Sequence, residues 1–89
     1  MRLKSDVRLE GVSPEIAFVM PAIARVFADV NAELTITSIH NVGKAIDLRS
    51  RDLSKPKLQV IVHALKDALG PSFDIVVEGS HVHLEYDPK

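Results

Sequence analysis

The chain has 89 residues, of which 46% are hydrophobic, a length that corresponds to one small domain spanning residues 1–89. Eleven Lys and Arg residues against twelve Asp and Glu give a net charge of −1. Because domains that bind nucleic acid carry an excess of basic residues, no nucleic-acid partner is expected. The chain contains no cysteine, which excludes disulfides and thiolate ligands, so any zinc site must use His and carboxylate side chains.

The sequence contains no recognisable targeting or membrane segment. Residues 1–10 alternate charged and apolar side chains and lack the apolar run of a signal peptide. The longest apolar stretch, residues 16–24, is interrupted by Pro21 and is shorter than the roughly 20 residues that span a bilayer. We therefore expect a monomer that is soluble, is made in the cytoplasm and has no membrane partner.

The N-terminal part is predicted to form a strand followed by a helix. Lys4–Glu10 alternates in polarity and favours a short strand. Ser13 and Pro14 then provide an N-cap and a first helical residue. Apolar residues follow at spacings of three, four and seven and predict a helix to about Asp29, which Pro21 kinks or divides.

Two strands and a second helix are predicted next. Leu34–Thr37 is rich in β-branched residues and favours a strand, and Ala45–Leu48 is a second candidate. Ser54 precedes an amphipathic helix, which we expect to stop at Gly70 and Pro71.

The C-terminal residues are predicted to form a β-hairpin. Its strands are Phe73–Val77 and His81–Tyr86, and its loop is the three-residue segment Glu78–Ser80. The predicted fold class is therefore α+β, with a small antiparallel sheet that includes this hairpin, two helices packed against it, and any metal site on the open face.

Histidines are the candidate metal ligands in a chain without cysteine. His63 falls on the polar face of the second helix and is predicted to be a solvated surface residue. His81 and His83 lie two apart in a strand and so share one face with Glu85. Two imidazoles beside a carboxylate suit Zn²⁺, and an exposed polar face of an antiparallel pair is the alternative.

His40 and Asp47 form a second candidate pair. Gly43 lies between them and permits a tight turn or bulge that would bring the two side chains together. In the alternative interpretation Gly43 only marks a turn, and Asp47 pairs with Arg49 or Arg51.

A motif spans this region. Residues 38–47 match Ser-x-His-x-x-Gly-x-Ala-x-Asp at every fixed position, and His83 follows near the C-terminus. The combination resembles the zinc D-Ala-D-Ala carboxypeptidase and L-alanyl-D-glutamate endopeptidase family, which are peptidoglycan peptidases and include many phage endolysins. The resemblance covers most of the chain. It implies Zn²⁺ held by His40, Asp47 and His83, with the peptidoglycan stem peptide as substrate and the bacterial cell wall as the place of action.

The residue at the acid-base position differs from the one that this family has there. The implied reaction is metal-assisted hydrolysis of an amide bond, in which a carboxylate moves the proton. The family has this acid three residues before the last zinc ligand, where this chain has Ser80. Glu78 is the favoured substitute, and Glu85 and His81 are the other candidates.

The predicted substrate-binding region also differs from that of the family. Small phage members carry a longer loop before the residue that corresponds to His40, and this loop helps to form the substrate wall. The candidate substrate-binding residues are Ser38, from the motif, and Arg49. Arg49 and Arg51 are suited to bidentate binding of a carboxylate, although surface ion pairs with Asp52 are the alternative.

Three functions follow from these observations. The first is a zinc metallopeptidase of the cell wall, weakened by Ser80. The second is an inactive family member that serves as a zinc-binding structural or assembly module. The third is a metal-free α+β domain with surface histidines.

Overall fold

A computed structural model describes residues 1–88 and has an α+β fold, in which two helices pack against a five-stranded sheet. The elements are β1 (Arg2–Leu3), α1 (Pro14–Asp29), β2 (Thr35–His40), β3 (Ala45–Arg49), α2 (Lys55–Leu69), β4 (Phe73–Glu78) and β5 (His81–Tyr86), with a 3-10 turn at Leu9–Gly11. The strand order is β1-β2-β3-β5-β4. The sheet is mixed, because β1 runs parallel to β2 while all other pairs are antiparallel.

The hydrophobic core lies between one face of the sheet and the two helices. Alternation along each strand turns every second side chain toward the helices. The core comprises Ile16, Ile23, Val26 and Phe27 of α1, Ile61 and Leu65 of α2, Leu34, and the strand residues Ile36, Ile46, Leu48, Ile75, Val82 and Leu84. The opposite face, called the open face below, carries no helix and exposes the polar side chains. None of the helices within residues 1–88 combines the length and apolarity needed to cross a membrane.

Both helices begin as the sequence predicts. The hydroxyl oxygens of Ser13 and Ser54 accept hydrogen bonds from the backbone N–H groups three residues ahead, each at 3.3 Å. Helix α2 ends before Gly70, which has a positive φ of 81°. Helix α1 continues through Pro21, so of the two expected effects, a kink or a division, the division does not occur. Pro21 is exposed, and it removes only one backbone hydrogen bond from the middle of the helix.

The predicted strand at Lys4–Glu10 is wrong. Strand pairing ends after Leu3, and the backbone N–H of Val7 turns back to donate to the carbonyl oxygen of Lys4 at 2.9 Å. Ser5 and Asp6 lie in this turn, and both residue types favour turns over strands. The alternating polarity therefore reflects a loop whose apolar side chains contact the core at intervals.

The hairpin of β2 and β3 carries the motif residues. Strand β2 extends past the predicted end at Thr37 to His40, and the turn at 41–44 joins it to β3. The turn at Gly43 is confirmed, whereas the bulge lies elsewhere, between Ile36 and Ser38. This bulge reverses the alternation, so that Ile36 enters the core while Ser38 and His40 lie on the open face.

The C-terminal hairpin has a shorter turn than predicted. Glu78 pairs with His81 and belongs to β4, so only Gly79 and Ser80 form the turn. Gly79 has a φ of 59°, the left-handed conformation that two-residue hairpin turns require.

Candidate metal centre

Three neighbouring strands bring the motif residues together on the open face. Asp47, in the middle of β3, lies directly opposite Ser38 of β2 and His83 of β5. His40 is two residues beyond Ser38 and therefore diagonal to Asp47 on the same face. Ala45 lies between His40 and Glu85 in the register, and its small buried side chain leaves room above it for the larger neighbours.

The two histidines and the aspartate converge on one point. His40 Nε2 lies 3.2 Å from Asp47 Oδ2, and His83 Nδ1 lies 3.1 Å from Asp47 Oδ1. Each of the three residues offers one ligand atom, a histidine nitrogen or a carboxylate oxygen. These three atoms lie within 4.8 Å of one another, close enough to share a metal ion. The side chain of His40 is 45% exposed, whereas those of His83 and Asp47 are 18% and 14% exposed. The site is therefore anchored in the sheet and open to solvent at His40.

The carboxylate of Asp47 is held in its ionised form. The hydroxyl of Ser38 donates to Asp47 Oδ2 at 2.7 Å. Burial alone would raise the pKa of Asp47, but the hydrogen bonds from Ser38 and two histidines outweigh it and hold the pKa below its usual 3.8. Asp47 therefore pairs with histidines, and the predicted alternative, a pair with Arg49 or Arg51, is not found within residues 1–88.

His83 is fixed at both ring nitrogens. Its Nδ1 faces Asp47, and its Nε2 lies 2.8 Å from Glu85 Oε1. Burial alone would lower the pKa of His83, but the hydrogen bonds with Glu85 and Asp47 raise it above its usual 6.5. Asn41 Nδ2 donates in turn to the other carboxylate oxygen of Glu85. Asn41, Glu85 and His83 thus form a chain of hydrogen bonds that orients one candidate ligand.

The acid-base candidates lie beside this centre. Ser80 is exposed in the turn, and its backbone carbonyl accepts a hydrogen bond from the Ser50 N–H at 2.9 Å. His81 Nε2 lies 3.4 Å from Glu78 Oε1 and 3.6 Å from Asp47 Oδ1. The carboxylate of Glu78 therefore contacts His81, which lies beside Asp47. The carboxylate of Glu85 already contacts both His83 and Asn41.

Cavities flank the centre on both sides of Ser38. One of about 490 Å³ is lined by residues 6–8 of the N-terminal loop together with Ser38 and His40. The other, of about 360 Å³, contains the predicted substrate-binding residue Arg49. Both cavities share Thr37 and Ser38. The N-terminal loop thus lines the first of these cavities beside His40.

The structure brings together most of the residues that the motif singles out. His40, Asp47, His83, Ser38 and His81 form one cluster, and His63 lies apart from it with an 85% exposed side chain, as predicted. The sequence interpretation missed Asn41. Asn41 follows His40 directly and has a positive φ of 56°, but its contact with Glu85 spans 44 residues and has no local signal.

Comparison of the chain with profiles of protein families, with curated proteins and with solved structures finds no match in any of the three.

Proposed function

We propose that the protein is a zinc-dependent hydrolase of peptide amide bonds that resembles peptidoglycan peptidases. The observation that carries the proposal is the convergence of His40, Asp47 and His83 on the open face. The match of residues 38–47 to the family motif supports it further, since the motif residues Ser38, His40 and Asp47 meet in space.

The residues present fit zinc. Two imidazole nitrogens and one carboxylate oxygen are ligands that Zn²⁺ accepts, and three protein ligands are typical of a catalytic site. One ligand atom of each residue lies within 4.8 Å of those of the other two, a spacing at which the three could hold one ion. Bound zinc supplies Lewis-acid chemistry, which polarises a carbonyl group and makes water more acidic.

The surrounding side chains orient these ligands. Ser38 holds one oxygen of Asp47, and Glu85 holds the ring nitrogen of His83 that faces away from Asp47. Such contacts fix the direction and the tautomer of a metal ligand. These contacts support the proposal that the three side chains bind one ion together.

Proton transfer falls to Glu78 and His81 in this proposal. Ser80 is a hydroxyl with no carboxylate contact within the described residues, and a hydroxyl does not accept a proton at neutral pH without help. Glu78 contacts His81, which in turn faces Asp47. Because the Glu78 side chain is 53% exposed, we expect this pair to be a weaker proton acceptor than a carboxylate at position 80.

The test measures zinc content and release of soluble peptides from purified peptidoglycan in parallel. The proteins are the chain as given, His40→Ala, Ser80→Asp and the exposed control His63→Ala. We expect one zinc per chain in all except His40→Ala, and cleavage that rises by about 10²-fold or more in Ser80→Asp. Absence of bound zinc in the folded chain as given would refute the proposal.

A second function, a zinc-binding structural or assembly module, is favoured by Ser80 at the acid-base position. It predicts stoichiometric zinc with no cleavage by the chain as given or by Ser80→Asp. Cleavage that His40→Ala abolishes and His63→Ala retains would exclude this second function.

A further inference from the structure

The two edges of the sheet differ in how they are protected. At one edge, β1 has only two residues, carries Arg2 and is followed by Lys4. At the other edge, β4 has six residues, contains neither Lys nor Pro, and pairs with β5 without a bulge. Very short strands, lysine, proline and bulges keep edge strands from pairing with other chains. Strand β1 is protected in this way, whereas β4 is not.

Alternate residues of β4 direct their backbone groups away from the sheet. In an antiparallel pair, every second residue exchanges hydrogen bonds with its neighbour and the others point outward. The N–H of Phe73 donates to the Gly70 carbonyl oxygen at 3.4 Å rather than to β5, and the N–H of Tyr86, opposite Phe73, is also bonded outside the pair. Because side chains of one parity share this direction, the N–H and C=O groups of Ile75 and Val77 point outward too.

Apolar side chains lie along the same edge. Val76 and Val77 are exposed. A cavity of about 440 Å³ between α2 and β4 is lined in part by Leu58, Val62 and Val77. A second cavity, of about 530 Å³, lies at the start of β4, and Phe73 and Val76 contribute to its lining. The edge therefore combines outward backbone groups with apolar surface.

We propose that β4 pairs with β4 of a second copy of this chain, antiparallel and across a twofold axis, so that two sheets become one. Such a contact uses the same surface on both copies, which must therefore be self-complementary. Strand β4 is self-complementary when Ile75 lies opposite Ile75 of the second copy. Val77 then lies opposite Phe73, and all three residues are those whose backbone groups point outward.

Charge selects this register over its neighbours. A register centred on Asp74 would place that residue opposite itself, and one centred on Val76 would place Asp74 opposite Glu78. Like charges directly opposite each other destabilise a strand pair. In the proposed register Glu78 instead lies opposite Ser72 of the second copy, at the end of the edge where Lys66 lines the cavity of about 530 Å³. Opposite charges therefore lie near each other at both ends of the contact.

The pairing leaves the open face uncovered and does not rest on zinc or on the proposed function. It differs from the monomer that we expect from the sequence, in which no local pattern indicates that β4 lies at an edge.

The first experiment is sedimentation velocity of the chain as given, with and without chelator, from about 1 µM to about 1 mM protein. We expect a monomer that converts to a dimer and to nothing larger, because the pairing consumes the edge. Val77→Lys should weaken dimerisation by about tenfold or more. The control Val60→Lys adds the same charge at a comparably exposed site of α2 outside both cavities and should leave dimerisation unchanged. Circular dichroism confirms that both variants fold.

Amide hydrogen exchange by NMR locates the contact. The N–H groups of Ile75 and Val77 should exchange severalfold more slowly in the dimer than in the dilute protein, because they gain partners only on pairing. The N–H of Val42, at an exposed turn, should exchange equally fast at both concentrations. In Val77→Lys the slowing at Ile75 should be lost at the concentration at which the chain as given is dimeric.

A monomer at every concentration would overturn the proposal, as would growth beyond a dimer. A dimer that Val77→Lys leaves as tight as Val60→Lys does, or in which exchange at Ile75 and Val77 stays unchanged, forms through another surface and would overturn it too. Zinc content bears on the metal centre alone, so failure of the dimer and failure of the proposed function are distinguishable.

Discussion

Asp47 connects all the polar residues of the centre. Its two oxygens contact Ser38, His40 and His83 at 2.7 to 3.2 Å, and His81 lies 3.6 Å away. Without a cation these contacts lower the pKa of Asp47 and raise that of His83. A metal ion bound here would need the ligand nitrogen of His83 without its proton.

Glu85→Gln is expected to weaken zinc binding by about 10- to 100-fold, because Glu85 orients His83 without being a ligand itself. Asn41→Ala should weaken it in the same direction and by less, since Asn41 acts through Glu85. Competition with a chromophoric chelator measures both affinities. Glu10→Gln is the matched control, because Glu10 is exposed and distant in sequence from the centre. Equal zinc affinity in Glu85→Gln and Glu10→Gln would contradict this role.

The contributions of His83 and Asp47 to the stability of the metal-free fold depend on pH. His83 has a raised pKa, so its contribution to the metal-free fold is complete below 6.5 and is lost as pH rises through the folded pKa. Asp47 has a lowered pKa, so its contribution is present above 3.8 and is lost only as pH falls through the folded value. The metal-free pair is therefore most stabilising between these values.

Zinc binding has the opposite dependence, because His83 must lose its proton to become a ligand. We expect the rise in melting temperature on adding zinc to be larger at about pH 8 than at about pH 5.5. Thermal melts with and without zinc at both pH values measure it. A rise that is constant, or larger at the lower pH, would contradict the assignment of His83.

At the scale of elements, the hairpin of β2 and β3 is locked to the start of α1 by Gly43. The carbonyl oxygen of Gly43 accepts a hydrogen bond from the Ser13 N–H at 2.8 Å. Gly43 has a φ of 81°, and a Cβ at this position would overlap the backbone of Gly11. The glycine is therefore needed both for its conformation and for the close approach.

Gly43→Ala should lower the free energy of unfolding by at least about 2 kcal/mol and displace His40 from Asp47. Gly11→Ala is the control, because a Cβ there meets no atom within 4 Å. Urea unfolding measures both variants. A Gly43→Ala protein as stable as Gly11→Ala would show that the hairpin does not depend on this contact.

The elements differ in how far the sequence predicts them. Helix α2 has a local cap at Ser54, a clear apolar period and a glycine at its end, so its prediction is confirmed. The alternation of His81, His83 and Glu85 likewise predicts their common face correctly. The bulge between Ile36 and Ser38 and the parallel pairing of β1 depend on contacts distant in sequence, and no local pattern indicates them.

At the scale of the whole molecule, the predicted α+β fold is confirmed, and the clustering of the three candidate ligands agrees with the motif. The lining of the cavity of about 360 Å³ beside the centre was only partly predictable. Arg49 and Arg51 follow the motif, but Lys4 comes from the opposite end of the chain and joins them only because β1 pairs with β2. The motif thus predicts that His40, Asp47 and His83 lie close together, whereas the lining of the neighbouring cavity depends on contacts distant in sequence.

A bound ion would join three strands of a small sheet that otherwise has only one covered face. A zinc ion held by residues from β2, β3 and β5, as proposed, would add its binding free energy to the stability of the whole fold. Loss of one ligand should therefore lower the melting temperature of the zinc-loaded protein while leaving the core unchanged.

The most direct measurement is the zinc content of the purified, folded chain beside that of Asp47→Ala and the control His63→Ala, with folding checked by circular dichroism. We expect one zinc per chain for the chain as given and for His63→Ala, and none for folded Asp47→Ala. A folded chain without zinc, or equal zinc in all three proteins, would contradict the metal centre on His40, Asp47 and His83.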